Sequence, residues 1–266
     1  MKIAIVGYGY VGKAMYRFFS TKYECVWYDP FIDGSCTKED VNGCNLAVVC
    51  VFTPSSDKGE CDVSILEDVM SWLSTPLILI KSTIAPGTTD HLKSLYPSKH
   101  ICFSPEYIGE SDYCIGKFDF NKDVIKSEFV TIGGDAKDVD AIFSILGPLM
   151  GPNKKYLRSS AIEAEMAKYM ENCFFASKLV FCYEFEQICK AHDVSYSAVR
   201  ELWLADPRIG SSHTSVFAAN EEPFSGKCLP KDLAAIICAS ENKGYDPEFL
   251  KQVKASNKRI GDLRRD

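Results

Sequence analysis

The opening of the chain constrains its fold more than any other stretch. Lys2 to Val6 is a short apolar run that delivers the backbone into Gly7-Tyr8-Gly9-Tyr10-Val11-Gly12, and Lys13 to Ser20 then shows helical spacing. A glycine trio between a strand and a helix permits a tight turn and lets a helix pack closely on a strand. It also leaves the helix N-terminus open to an anionic group. The same pattern serves as a plain turn, so the residues beyond it decide between the two.

A second strand, Glu24 to Tyr28, ends in Asp29. An acidic side chain about twenty residues past the glycines is placed to bind both hydroxyls of a ribose and to repel a 2'-phosphate, which predicts NAD rather than NADP. Leu46 to Phe52 is a continuous apolar run, as expected of an interior parallel strand, and it ends at Thr53-Pro54-Ser55. Leu77 to Lys81, Ile101 to Phe103 and Val130 to Ile132 read as further strands, with helical spacing over Val63 to Leu73, Thr89 to Leu95 and Ala136 to Leu146. Strand and helix alternate, so the predicted fold class is α/β, with an open, mostly parallel, doubly wound sheet of the Rossmann type.

Gly147-Pro148-Leu149-Met150-Gly151-Pro152-Asn153 is rich in breakers and predicts the approach to a domain boundary, giving domains 1–158 and 159–266. Ala161 to Ala191 then holds neither glycine nor proline, enough for a helix of about 45 Å. Glu165, Lys168, Asn172, Ala176, Leu179 and Tyr183 share one of its faces. Taken alone that face reads as solvated; paired with a dinucleotide site, Lys168 and Asn172 one turn apart are suited to hold a developing alkoxide by two directed donors. Shorter helices are predicted over Ser197 to Leu204, Leu233 to Glu241 and from Asp246-Pro247 to the basic end, which makes the second domain all-helical.

Between those helices lies Phe224-Ser225-Gly226-Lys227-Cys228-Leu229-Pro230-Lys231-Asp232. A thiol flanked by two lysines at a turn sits in a field that favours the nucleophilic thiolate. It also reads as one more small hydrophobe among twelve cysteines.

Composition narrows the classes. A formal charge of -6 argues against general affinity for nucleic acid, no apolar run is long enough for a membrane span, and no signal peptide is recognisable. These features predict a cytoplasmic protein with reduced thiols. There is no C-x-x-C pair, and the four histidines form no ligand-spaced cluster, so no metal is predicted.

Taken together, these segments resemble the UDP-glucose/GDP-mannose dehydrogenase family. The matching motifs are the glycine turn with Asp29, Thr53-Pro54 with Gly59-Glu60-Cys61-Asp62, and Lys81-Ser82-Thr83 with Pro86-Gly87-Thr88. Ser104-Pro105-Glu106 with Glu110, Ala164-Glu165-Met166-Ala167-Lys168 with Asn172, Asp206-Pro207-Arg208-Ile209-Gly210 and the Cys228 segment complete the set. The resemblance implies four-electron oxidation of the C6 alcohol of a nucleotide sugar, UDP-glucose to UDP-glucuronate by default, with two NAD reduced.

It further implies Cys228 as nucleophile, Lys168 and Asn172 as oxyanion donors, Glu106 as base, Thr83 as positioner of water, and Asp232 as orienter of Lys168 or partner in proton transfer. Cofactor contacts are expected from Gly7, Gly9, Tyr10, Val11, Gly12, Asp29, Thr53, Pro54, Thr83 and Glu110. Substrate contacts are expected from Glu106, Tyr107, Lys168, Arg208, Phe224 and Gly226, with Arg208 reaching a neighbouring subunit of a homodimer built through the helical domain.

Gly109 stands where many relatives have arginine, Tyr183 where asparagine is expected, and Pro223-Phe224-Ser225-Gly226 where relatives are richer in glycine. Relatives continue into a further domain that holds the nucleotide, and a separate chain supplying that domain belongs to the split-enzyme alternative. The alternatives are a two-electron hydroxyacid-type dehydrogenase and a non-catalytic NAD-binding half of a split enzyme.

Overall fold

The computed structural model of the chain describes residues 1–56, 58–108, 124, 127–217 and 222–265. They form two compact units, one of residues 1–56, 61–108, 124 and 127–168, the other of 58–60, 169–217 and 222–265.

In the first unit the described strands are β1 (Lys2–Val6), β2 (Glu24–Tyr28), β3 (Leu46–Val49), β4 (Leu77–Ile80), β5 (His100–Phe103), β6 (Phe129–Gly133) and β7 (Lys155–Ser159). They lie in the order β2-β1-β3-β4-β5-β6-β7. Every neighbouring pair is parallel except β5 with β6, which meet antiparallel at Phe103 and Gly133. The helices are α1 (Tyr10–Ser20), α2 (Lys38–Asn42), α3 (Ser64–Trp72), α4 (Thr88–Leu95) and α5 (Ala136–Met150).

The unbroken apolar strands follow from burial on both faces. Ala47 and Val49 of β3, with Ile78 and Ile80 of β4, enter one core, which α3 closes with Leu66, Val69 and Met70. Their neighbours Leu46, Val48, Leu77 and Leu79 enter the other, closed by α1 and α5 through Met15, Phe18, Val139 and Ile142. Side chains alternate across a strand, so a run with no polar residue is what two cores require. Each fully buried aliphatic side chain contributes about 1.5–3 kcal/mol.

Two details depart from the sequence reading. Helix α5 continues through Gly147 and Pro148 to Met150 instead of stopping at the breakers. Strand β7, unpredicted, then pairs with β6 along the sheet edge, with Lys155, Leu157 and Arg158 exposed. Charges on an edge strand discourage pairing with another chain, and they also erase the apolar alternation that would have revealed it.

The second unit is helical. It contains most of α6 (Ala161–Ala191), with α7 (Tyr196–Leu204), α8 (Leu229–Asn242) and α9 (Glu248–Arg265). Glu186 of α6 pairs with Arg264 of α9 at 3.0 Å, and the same guanidinium lies over the Tyr183 ring. The buried Asn257 of α9 binds both the amide and the carbonyl of Phe224, fixing the segment that leads to α8. Helix α8 begins at Leu229, a turn earlier than predicted, because Pro230 falls in its first turn, where a missing N–H costs no helical bond. No described helix is long and apolar enough to cross a membrane.

Candidate functional site

The sheet order reverses at β1, which has β2 on one side and β3 on the other, and ligands of such sheets bind beyond the strand ends at this switch point. Gly7 follows β1 with φ +88°, and a Cβ there would stand 2.7 Å from the Cys50 carbonyl oxygen at the end of β3. A Cβ on Gly12 would stand 1.9 Å from the oxygen of Gly7, so α1 packs on the turn only without one. Gly9 differs, since its Cβ would meet nothing within 4 Å.

Gly9 is also the N-cap of α1, with no side chain capping the helix and no acidic residue in its first turn. Tyr10, Val11 and Gly12 supply the helix start. Asp29, just past β2, accepts the Tyr8 amide at 2.9 Å and the Phe31 amide at 3.1 Å. A carboxylate has about four acceptor sites, so this one retains capacity for two hydroxyl donors. An open glycine, an uncapped helix end and a fixed acid with spare lone pairs fit a dinucleotide.

The loops after β3, β4 and β5 are tied together. The buried Thr53 hydroxyl donates to the Thr83 carbonyl at 2.7 Å, and the Cys61 thiol reaches the same oxygen at 3.5 Å. Pro54 accepts the Asp62 amide at 2.8 Å. Thr53 therefore joins two strand-end loops, a role its sequence position did not reveal.

Glu106, after β5, accepts the Tyr107 and Ile108 amides on Oε1, both at 2.7 Å, and its Oε2 lies 3.1 Å from Lys81 Nζ. Lys168 sets its ammonium over the Tyr107 ring, 5.0 Å from the centroid. One turn before it, the fully buried Glu165 accepts the amides of Gly87 at 2.5 Å and Thr89 at 2.9 Å. That carboxylate caps α4 from another helix. Burial raises its pKa above the usual carboxylate range, against the pull of the Thr89 and Gly87 hydrogen bonds.

In the second unit Asn172 Nδ2 donates to Asp232 Oδ2 at 2.5 Å, with both residues buried. Asp232 Oδ1 lies 2.7 Å from Lys231 Nζ. Cys228 is the N-cap of α8, and its carbonyl accepts the Asp232 amide at 2.9 Å. Of the eleven described cysteines, none disulfide-bonded, only Cys228 is exposed. Burial raises the thiols of Cys25, Cys36, Cys44, Cys50, Cys102, Cys173 and Cys182 above their ordinary value, Cys25 to about 11 and Cys102 and Cys173 to about 12, which makes them less reactive.

Gly226 is exposed with φ +84°, whereas the Phe224 side chain is buried. Arg208 is 86% exposed and forks onto Asp206, with Nη2 to Oδ2 at 2.6 Å. Glu110 lies outside the described residues. Among the described residues no group of three or more His, Cys, Asp or Glu is arranged to hold a metal ion. Sequence reasoning gave no role to Lys81 or Glu165; the signal for Lys81 was a lone cation at the end of the apolar strand Leu-Ile-Leu-Ile.

A doubly wound sheet with this glycine turn, followed by a helical unit, defines an NAD-binding protein of the Rossmann class. Residues 32–146 match the NAD binding domain of the UDP-glucose/GDP-mannose dehydrogenase family, and residues 162–259 match its central domain. The chain belongs to that family. It is 28% identical over 220 residues to UDP-glucose 6-dehydrogenase of Rickettsia prowazekii, covering 79% of this chain and 48% of the relative. It is also 28% identical over 219 residues to UDP-glucose 6-dehydrogenase AglM of Haloferax volcanii, covering 74% and 48%.

The chain thus spans about half the length of the curated relatives it matches. Among solved structures, a UDP-glucose dehydrogenase from Pyrobaculum islandicum superposes with a TM-score of 0.83 at 23% identity, covering 97% of this chain and 68% of that one. The 3-hydroxyisobutyrate dehydrogenase of Mycobacterium tuberculosis superposes at 0.70 with 16% identity, covering 100% and 94%. Both likenesses show a shared fold.

Proposed function

We propose that the chain acts in NAD-dependent oxidation of the C6 alcohol of a nucleotide sugar, UDP-glucose by default, through to the carboxylate. The observation that carries this reading is Cys228, the one exposed thiol among the described cysteines, at the N-terminus of α8 and within the matched central domain. NAD, when bound, supplies a hydride acceptor for each of the two oxidations. The first converts the alcohol to an aldehyde, a poor hydride donor because its carbon bears no oxyanion.

Addition of the Cys228 thiolate to that aldehyde forms a C–S bond and a tetrahedral alkoxide able to release hydride, leaving a thioester that water cleaves. Lys168 and Asn172 are assigned to the oxygens on which charge develops, each well-aimed donor contributing roughly 3–4 kcal/mol. Glu106 is assigned as base for the hydrolytic water, with Thr83 positioning it. Asp232 is assigned to hold the Asn172 amide, on the strength of their 2.5 Å hydrogen bond.

A homodimer through the helical unit is supported by an exposed apolar stripe on its part of α6, Met170, Phe174, Phe181 and Phe185. The described thiols, none in a disulfide, support a cytoplasmic setting.

The test counts NADH formed per UDP-glucose by the parent and by Cys228→Ala. Two NADH per sugar in the parent, with the second oxidation arrested in the variant, is the expected result. An unchanged ratio without the thiol overturns the covalent route. A second reading, a two-electron hydroxyacid-type dehydrogenase, draws on the fold shared with 3-hydroxyisobutyrate dehydrogenase. It gives Cys228 no task and is recognised by a single NADH per turnover of a small hydroxyacid.

A further inference from the structure

The first unit keeps its described aromatic rings at least partly buried, with two exceptions. Phe31 is 93% and Phe52 62% exposed, and no other aromatic side chain described in that unit is exposed. A single apolar side chain in water needs no explanation. Two such rings at one end of one sheet do, since Phe31 lies in the loop leaving β2 and Phe52 in the loop leaving β3, the strands on either side of β1.

Both rings stand on anchored backbone. Beyond β2 the Asp29 amide donates to the Ser35 hydroxyl at 2.9 Å and the Cys36 amide to the Trp27 carbonyl at 3.0 Å, folding residues 29–36 back on the strand. Asp29 Oδ1 accepts the Phe31 amide at 3.1 Å, and Oδ2 accepts the Tyr8 amide of the glycine turn at 2.9 Å. Beyond β3 both neighbours of Phe52 are tied to the loop after β4. The Ser82 hydroxyl donates to the Val51 carbonyl and the Thr53 hydroxyl to the Thr83 carbonyl, each at 2.7 Å. A fixed backbone that leaves its apolar rings uncovered spares a ligand the cost of ordering its site. Tyr8 and Trp27, at the same end of the sheet, are instead stacked on each other with centroids 4.2 Å apart.

Asp29 sets the chemistry of that ligand. An acid at the end of β2 binds the hydroxyls of an adenosine ribose. In adenosine the base leaves C1', the carbon next to the one that bears the 2'-hydroxyl, so a ribose held by Asp29 delivers its base beside the loop that carries Phe31. Adenine is flat, with two π faces, and stacks readily on aromatic side chains. The match to an NAD binding domain supplies the molecule that carries it.

We propose that Phe31 and Phe52 hold the adenine ring of NAD, with Phe31 as its stacking partner. The residues involved all belong to the first unit, and the proposal is independent of which alcohol the chain oxidises.

Calorimetry with ADP-ribose, the adenine-bearing part of the cofactor, compares the parent with Phe31→Ala, Phe31→Tyr and Phe52→Ala. Phe31→Ala is expected to bind about tenfold more weakly and Phe31→Tyr, which keeps the ring, like the parent. Phe52→Ala is expected to bind more weakly than the parent as well. Thermal unfolding without ligand is expected to be unchanged in Phe31→Ala, because the ring it removes is exposed.

Saturation-transfer NMR on the same complexes reads which part of the ligand meets the rings. Adenine H2 and H8 are expected to take up saturation from the parent and to lose most of it in Phe31→Ala, with the ribose protons less affected. Unchanged ADP-ribose affinity in Phe31→Ala, or no binding of ADP-ribose by the parent, overturns the proposal. A loss spread evenly over adenine and ribose protons also overturns it, since the defect then lies at Asp29 and not at the base. Unchanged affinity in Phe52→Ala strikes that residue from the adenine seat.

Discussion

Asn172 and Asp232 meet in the interior of the helical unit, the side-chain amide of one donating to the carboxylate of the other across 2.5 Å. Asn172 is 7% and Asp232 1% exposed, so water competes little for either. The carboxylate fixes which way the amide turns, leaving its carbonyl and remaining N–H in defined directions. Replacing Asp232 with Asn removes the charge that fixes this orientation. We expect Asp232→Asn to lower kcat by about 100-fold or more, as loss of an aimed oxyanion donor does, with NAD affinity unchanged by calorimetry. A drop confined to KM would show that Asp232 serves binding alone.

Glu165 performs a structural task from the same helix. Its oxygens take the amides at the start of α4, and the turn they secure follows directly on the loop that carries Thr83. Because burial raises its pKa above 4.5, the folded state holds a proton that the unfolded state has released. The associated stability is present below about 4.5 and is lost as pH rises through the folded value. Glu165→Gln removes this titration and leaves one amide without an acceptor, at a cost of about 1–3 kcal/mol. Denaturant unfolding from neutral to acid pH is expected to show the parent gaining on the variant as pH falls. A constant gap between them would contradict the assignment.

The glycine turn separates folding from binding. Gly12→Ala would drive a Cβ into the Gly7 carbonyl, so it is expected to cost about 1–3 kcal/mol or more of stability. Gly9→Ala meets open space at a φ of -72°, and its stability is expected to stay within about 1 kcal/mol of the parent. Its NAD affinity should nonetheless fall, because the added methyl occupies the approach to the α1 N-terminus. Thermal unfolding and NAD titration of the two variants check this, and equal NAD affinity for Gly9→Ala and parent would remove the dinucleotide from that spot.

Much of this arrangement is legible in the amino-acid sequence. The strands Leu46–Val49 and Leu77–Ile80 announce themselves because two cores leave no polar position in them. The glycine turn carries its own stereochemistry, and α6 runs over the residues its lack of breakers predicts. Strand β7 stays hidden because an exposed edge needs no alternation. The early start of α8 is masked by Pro230, which reads as a breaker unless its place in the first turn is known. Lys81 with Glu106, Thr53 with Thr83, and Asn172 with Asp232 are invisible for a common reason: each partner is chosen by register or helix packing, not by anything adjacent in sequence.

His213 gives the helical unit a dependence on acid. Its ring stacks on Phe175 with centroids 4.0 Å apart and planes within 9°, and Nδ1 lies 2.5 Å from the Ser212 hydroxyl. Burial, assisted by the nearby Lys178 charge, lowers its pKa from 6.5 to about 4. The unfolded chain therefore binds a proton that the fold refuses between those values. Stability is present in full above 6.5 and is lost as pH falls towards about 4, a change of about 3 kcal/mol before solvent screening of the partly exposed ring and less once that screening is counted. The backbone at His213 has a φ of 57°, which asparagine tolerates, so His213→Asn removes the titration without imposing a forbidden conformation. The variant loses the ring stack at every pH, which lowers its stability by a constant amount. Its unfolding free energy measured across the acid range is expected to be flatter than the parent's by the titration of this one group. Parallel curves would mean that the imidazole is protonated as easily in the fold as in the open chain.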